Sequence, residues 1–365
     1  MFELKSTYFN TAYMGPMPIR TRQAIDETAK IAMDPAFKPF DYWAYGTDRV
    51  RAEFARLIKC SPVNVALSTS VSELVSHVAN GLSLKEDDEV ILLDGDFPSM
   101  VLPWMVLAEV RGFKIRLLDL SYFLNPDTLE KEITGKTKYV GVSHVMFNTG
   151  AKLPIAEIGA ICRKADVLFL ADVSQSLGGM ALSNEIINNV DIMVGVGYKW
   201  LLCPNGAAFG YFSNRSLDRV RRTHGSWLAS PFSNEAESLL TYTTDTPPGA
   251  ARFDRGQSHA FFLCAGIEAS LRLISEVGLE KIEMYNRDLV DLFFDCIPAH
   301  LEVATPREFR SNIVCVKPGG RDPRDVLADL NRQNIDVAIR EGMIRISFHF
   351  FNTREQVQKL VEALG

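Results

Sequence analysis

The sequence predicts an α/β fold, a sheet assembled from repeated βαβ units with a smaller α+β domain after it. Three observations predict it. From about residue 63 to residue 213, short apolar runs alternate with segments of helical periodicity. Most of these runs are apolar almost throughout, as in VLFLADV, which is how a strand reads when both faces of its sheet are covered. Two consecutive runs also end in chemically distinctive residues, Asp172 and Lys199. Ligands of such sheets bind at the carboxyl ends of strands, so these two residues are expected to face one crevice.

In chain order the expected strands are VNVALS, EVILLDG, FKIRLLDL, KYVGVSHV, VLFLADV, DIMVGVG and AAFGYFS. Leu74, Val75, Val78, Ala79 and Leu82, between the first two, keep the spacing of one helix face. Crossovers in such an array are expected to be right-handed. A looser segment, SNEAESLLTYTTDTPPGAARFDRGQ, interrupts the pattern, and a long helix is expected from Phe261 to Val277 with Gly278 at its C-terminal end. Beyond Leu279, helices alternate with short strands such as NIVCVK and MIRISFHF. There is no internal repeat or low-complexity tract, and no linker long enough for independent domains.

Composition fits a soluble enzyme. The chain has 365 residues, 47% hydrophobic and 23% charged, enough for a large domain plus a smaller one, each with a core. A net charge of -6 and a pI near 5.6 argue against nucleic acid as a partner. No run approaches a membrane span, and MFELKSTYFN lacks a basic region followed by an apolar one, so a cytoplasmic protein without a membrane partner is expected. The six cysteines lack CxxC or zinc spacing and read as reduced thiols, with no metal site.

Lys199 and Asp172 together suggest pyridoxal phosphate. A lysine in a partly dry crevice can lose its proton and form a Schiff base with an aldehyde, while a carboxylate can hold a pyridine nitrogen protonated. Either residue alone reads more simply, Lys199 as a solvated strand end and Asp172 as a loop or helix cap. In LSTSVSELVSHVANGL a strand ends in small hydroxyl residues where a helix begins, so Ser70, Val71 and Ser72 can offer a cradle for phosphate. Simple helix capping by Ser70 or Ser72 explains that local pattern equally well.

From YFNTAYMGPMP through SHVMFNTG, ADVSQSLGG, GYKWLL and IRISFHFFNT, the chain resembles the class V aminotransferase superfamily. Within it, the resemblance is to the branch of selenocysteine-lyase-type cysteine desulfurases, kynureninases and isopenicillin N epimerase-like proteins, and it covers almost the whole chain. It implies fold type I, with a mostly parallel seven-stranded sheet in a large domain at 16–260. The small domain would comprise 1–15 and 261–365, and the protein would be a homodimer with active sites at the interface. Lys199 matches the Schiff-base lysine, which also moves protons, and Asp172 the partner of the pyridine nitrogen. Gln175 falls where relatives approach the ring hydroxyl. Ser70, Val71 and Ser72 align with the phosphate-contacting turn, and the Tyr198 hydroxyl is placed to reach the phosphate. Phe97 falls where an aromatic ring covers the cofactor, and His144 at a position near it. Arg345 aligns with the arginine that clasps the substrate's α-carboxylate, with Arg340 a competitor. Gly256 and Gln257 stand where relatives place Gly-Thr, whose threonine reaches the partner subunit's phosphate; glutamine puts that contact in doubt.

Two departures bear on the reaction. Persulfide-forming desulfurases need a mobile cysteine before the last arginine strand, and NIDVAIREGMIRIS has none, Cys315 lying upstream. The paired asparagines before the TG-like turn are replaced by Met146 and Phe147, which makes the pocket more apolar. Tyr13, Trp43 and Trp227 are further pocket-wall candidates that spacing alone does not separate from core residues. The expected function is a pyridoxal phosphate enzyme acting on a small amino acid or a metabolite derived from one, with β-elimination of the carbon-sulfur lyase type as the leading reaction. Transamination is the alternative, followed by epimerisation or other carbanion chemistry. A cofactor-binding scaffold without turnover would be expected to lose Lys199 or Asp172, and a nucleotide-binding enzyme to carry GxGxxG or GxxxxGK[ST] after its first strand; neither holds here.

Overall fold

The computed structural model describes the chain apart from residues 35, 37–38, 226, 228–235, 239, 247 and 255–260, and apart from the side chains of 39–45, 236 and 261. A short strand β1 (Thr7–Tyr8) leads into helices α1 (Ile19–Ala32) and α2 (Pro39–Leu57). The large sheet is then built from β2 (Val65–Ser68), β3 (Glu89–Leu93), β4 (Lys114–Leu118), β5 (Thr137–Ser143), β6 (Leu168–Asp172), β7 (Ile192–Val196) and β8 (Ala208–Phe212). Its intervening helices are α3 (Val71–Gly81), α4 (Pro98–Arg111), α5 (Leu120–Leu124), α6 (Pro126–Glu132), α7 (Ile155–Lys164) and α8 (Asn184–Asn189), with α9 (Asn214–Arg219) after the last strand. Helices α10 (Phe261–Val277) and α11 (Leu279–Cys296) lead to β9 (Glu302–Val303), β10 (Ile313–Lys317) and α12 (Pro323–Arg332). The chain closes with β11 (Ile335–Asp336), β12 (Ala338–Arg340), β13 (Met343–Ser347) and α13 (Arg354–Leu364).

All seven expected strands form one sheet, in the order β2-β8-β7-β6-β5-β3-β4. Only β8 runs against the rest, pairing antiparallel with both β2 and β7. The continuous apolar runs have a direct cause. In β6, Phe169 and Ala171 enter the core on one face, while Leu168 and Leu170 enter the core on the other. Helices cover both faces, so no position along the strand is left for a polar residue until Asp172 at its end.

The smaller sheet is antiparallel, ordered β12-β13-β10-β9. Its alternation determines what faces the large sheet. Ile344 and Ile346 pack with Phe293, Leu330 and Leu360 under helices α11 to α13. Arg345, between them, must point the other way. On that other face Cys315, which pairs with Arg345 across the strands, lies among Ala12, Val145 and Trp200 of the remaining chain. Helix α10 packs on α1 and α2 and buries Cys264, Ile267 and Leu271 in the core that also holds Phe54 and Phe209. The proposed units, 16–260 and 1–15 with 261–365, therefore interlock through α10. Among the described residues no helix is long and apolar enough to cross a membrane, and no group of His, Cys, Asp and Glu could hold a metal.

Candidate active site

At the carboxyl ends of β2, β3, β5, β6 and β7 lies a cavity of about 240 Å3. Thr69, Ser70, Val71 and Ser72 line one end, where β2 passes into α3. Ser70 is the N-cap of α3, its Oγ accepting from Glu73 N at 3.3 Å. The capping expectation and the cradle expectation thus coincide in one residue. A helix cannot supply acceptors for its first N–H groups, so those of Val71 and Ser72 are left for a ligand, and the helix dipole adds favourable potential for an anion. The Ser72 hydroxyl donates to or accepts from Ser99 Oγ at 2.8 Å.

Asp172, Ser174, Gln175, Tyr198 and Lys199 line the floor. Lys199 is 8% exposed, and burial pulls its amine down to about 8 against the opposing attraction of Asp172; Arg345 and Arg340 push it further down. Asp172 is held above its ordinary range by burial, and among the described residues its hydrogen bonds come from Ser174 alone, whose N–H donates at 2.7 Å. The Ser174 side chain bonds the carboxylate as well. The Phe97 ring, half exposed, stands with its centroid 5.5 Å from Lys199 Nζ and meets Phe147 edge to face. The backbone that presents Lys199 is held from outside: Gly15 N–H donates to Tyr198 O at 2.8 Å, and a Cβ on Gly15 would collide with the Lys199 carbonyl.

Gln175 is doubly engaged, donating to Ala12 O at 3.1 Å and accepting from Trp200 Nε1 at 3.0 Å. One amide hydrogen remains for a ligand. His144 does not line the cavity. Its ring is buried, bonded through Nδ1 to Ser176 Oγ at 2.9 Å, and burial lowers its pKa to about 3, so it is a neutral structural imidazole. Arg345 stands behind Phe147, whose carbonyl accepts from its Nη1 at 3.0 Å. It is 2% exposed, its Nε and Nη2 have no partner, and burial followed by the nearby Arg340 lowers it to about 10. Arg345 does not itself line the cavity; it touches the lining through Phe147, and its charge, with that of Arg340, is felt at Lys199. Gly256 and Gln257 lie outside the described residues, as does the side chain of Trp43. Trp227 is half exposed, and Tyr13 lies under the Arg340 guanidinium at 6.0 Å.

Sequence reasoning passed over Asp96. It is buried at the end of β3, accepts from Ser143 N at 2.8 Å, Ser143 Oγ at 2.5 Å and Phe97 N at 2.6 Å, and is pushed by burial up to about 6. It ties the β3 turn that carries Phe97 to the end of β5. The signal was present, because DGD follows an apolar run as Asp172 does, but what Asp96 reaches depends on β5 lying beside β3.

The lining fits pyridoxal phosphate. A helix N-terminus with free N–H groups suits its phosphate, the Asp172 carboxylate in the lining its ring nitrogen, and a half-exposed phenyl ring its flat face. Comparison with known proteins agrees. The profile of the family described as aminotransferase class-V matches residues 43–360. The chain belongs to that family. Isopenicillin N epimerase of Streptomyces clavuligerus is 26% identical to it, over 97% of this chain and 93% of its own length. A probable cysteine desulfurase of Methanothermobacter thermautotrophicus is 25% identical, over 86% of this chain and 82% of its own. Among solved structures, the complex of the cystine C-S lyase C-DES with its reaction product, cysteine persulfide, superposes with a TM-score of 0.89 at 22% identity, covering 99% of this chain and 97% of that one. The architecture is fold type I, and this class V member is a pyridoxal phosphate enzyme.

Proposed function

We propose that the protein is a β-eliminating lyase acting on an amino acid with a sulfur leaving group at its β carbon. The observation that carries this reading is a solitary base. Among the residues lining the cavity Lys199 is the one amine, lowered by burial to about 8, and the ring facing it, Phe97, cannot move a proton. Epimerisation is most directly served by acid–base groups on two faces of the α carbon. The likeness to isopenicillin N epimerase favours that reaction as the second reading, and one-sided proton traffic weighs against it. Transamination remains the nearer alternative, since it also runs on a single lysine.

When bound, pyridoxal phosphate supplies the electron sink that stabilises charge at the substrate's α carbon. The chain's own residues do the rest. Lys199 would hold the cofactor through its aldehyde carbon and would serve as the base for the substrate's α proton. Asp172 keeps the ring nitrogen protonated by direct charge attraction. Ser70, Val71 and Ser72 hold the phosphate, with the Tyr198 hydroxyl beside it. The spare Gln175 amide hydrogen meets the ring hydroxyl, and Phe97 covers the ring. Arg345 clasps the α-carboxylate with the N–H groups that lack a partner. No cysteine lines the cavity, and burial pushes the Cys315 thiol up to about 12, which supports elimination over persulfide formation on the protein.

The reading extends to a homodimer. Leu102, Val106 and Val110 of α4 are all more than half exposed on a helix apolar on every side, a face suited to cover by a second copy. The test of function is a single-turnover titration of the holoenzyme with a panel of amino acids, including S-alkyl cysteines, scoring cofactor form and products. Release of ammonia, a keto acid and a thiol with the original absorbance restored is the expected result. Accumulation of the amino form of the cofactor with a matching keto acid would make the protein a transaminase.

A further inference from the structure

Two arginines whose charge reaches the reacting lysine lack a carboxylate partner among the described residues, as Arg111 and Arg252 do elsewhere, where each bonds backbone carbonyls. Arg51, Arg116, Arg215 and Arg310 each hold a carboxylate, from Asp254, Glu132, Asp191 and Asp291 respectively. Arg345 and Arg340 hold none among the described residues. Their hydrogen bonds run to backbone carbonyls, Arg345 Nη1 to Phe147 O at 3.0 Å and Arg340 Nη1 to Ile339 O at 2.6 Å. Glu341, next to Arg340, is exposed and makes no ion pair with it.

Strand register places the two together. In the β12–β13 pair Ala338 is opposite Arg345 and Arg340 is opposite Met343. Opposite residues of an antiparallel pair project to the same face, so Arg340 and Arg345 are diagonal neighbours on it, with Cα atoms roughly 7–8 Å apart. That face is the one turned away from Ile344 and Ile346, toward the large sheet. Each guanidinium depresses the Lys199 amine, and Arg340 depresses Arg345. Both charges are thus felt at the reacting lysine. Arg340 is half buried over the Tyr13 ring, which is itself 56% exposed. A ring face eases the desolvation of a cation without neutralising it.

An α-carboxylate satisfies one guanidinium. The second remains positive, partly dry and without an anion among the described residues, which is unfavourable unless a ligand brings one. We infer that the substrate is a dicarboxylic amino acid, whose side chain carries a second carboxylate that Arg340 binds while Arg345 holds the first. The inference rests on the proposed amino-acid substrate and on Arg345 as the receptor of its α-carboxylate. It makes Arg340 a specificity determinant, with Tyr13 flanking the far end of the substrate.

The test separates this inference from the reaction on which it builds, because it measures binding. Holoenzyme is titrated with L-aspartate, L-glutamate and L-α-aminoadipate, each against its side-chain amide, and dissociation constants are read from the cofactor's absorbance or by calorimetry. The expected result is that at least one acid binds about tenfold or more tightly than its amide, the range of a charge-assisted pair. Arg340→Gln should remove that preference while leaving the amide's affinity within about twofold, and Arg340→Lys should keep part of it. Acid and amide binding alike in the wild-type protein, or a preference that survives Arg340→Gln, would overturn the inference and leave the lyase reading intact. Failure of every amino acid to bind would overturn both.

Discussion

The two ends of the large sheet treat charge in opposite ways. At the amino end of β7, Asp191 is fully buried, yet it accepts from Phe169 N at 3.0 Å and from Arg215 Nη1 at 2.5 Å. Arg215 in turn reaches Asp166 and Val167 O, both at 3.1 Å. At the carboxyl end, Lys199, Asp172 and Arg345 are buried too, but Lys199 and Asp172 line a cavity, and Arg345 Nε and Nη2 have no partner among the described residues. The first arrangement fastens strands and leaves nothing for a ligand; the second is held in place by its surroundings and is completed only by what binds. Burial by itself does not mark a functional residue. Unmet hydrogen-bonding capacity marks one only together with a cavity, since Arg252 Nε is also buried without a partner among the described residues.

That contrast is broken most severely at the satisfied end. Asp191→Ala leaves Arg215 and Phe169 N–H without their acceptor, and the expected loss is about 3–5 kcal/mol of unfolding free energy in a denaturant titration. Activity per folded molecule should be unchanged, because nothing at this end touches the cavity. At the open end the costs should fall on function. Arg345→Gln is expected to lower kcat/KM by about 10- to 100-fold, chiefly through KM, with a melting temperature no lower than the wild-type value, since it removes a charge that had no anionic partner. A gentler probe is pH. Burial lowers the Lys199 amine to about 8, so its neutral, reactive form increases as pH rises through that value. The rate at which apoprotein takes up pyridoxal phosphate should therefore climb between about pH 7 and pH 9, with the reagent's own ionisation subtracted using a free-amine control. A rate that rises only toward pH 10 would mean that burial does not tune this lysine.

Much of this was legible in the sequence, for a physical reason. Strands buried on both faces write themselves as unbroken apolar runs, so a charged residue at the end of one stands out. Asp172 and Lys199 were readable in this way, and the seven strands with them. Asp96 ends a run in the same fashion, but its partner Ser143 lies 47 residues away and is brought close only by the β3–β5 pairing. His144 shows the converse. It falls at a family position near the cofactor, but a lone strand-end histidine is more often structural, and the fold turns its ring inward to Ser176. Sequence reasoning passed over Gly15, because its close approach to Lys199 joins segments distant in the chain. The pairing of Arg340 with Arg345 was hidden for a related reason: spacing suggests strand faces, but only the hairpin register shows that the two share one.

The most direct test of the account is to locate the cofactor chemically. Holoenzyme would be reduced with borohydride, which makes any lysine–cofactor link permanent, then digested and mapped by mass spectrometry. The expected result is a single modified peptide carrying the phosphopyridoxyl group on Lys199, absent from Lys199→Ala. Modification of a different lysine, or a label that persists in Lys199→Ala, would contradict the assignment of the carboxyl end of the large sheet as the reacting site.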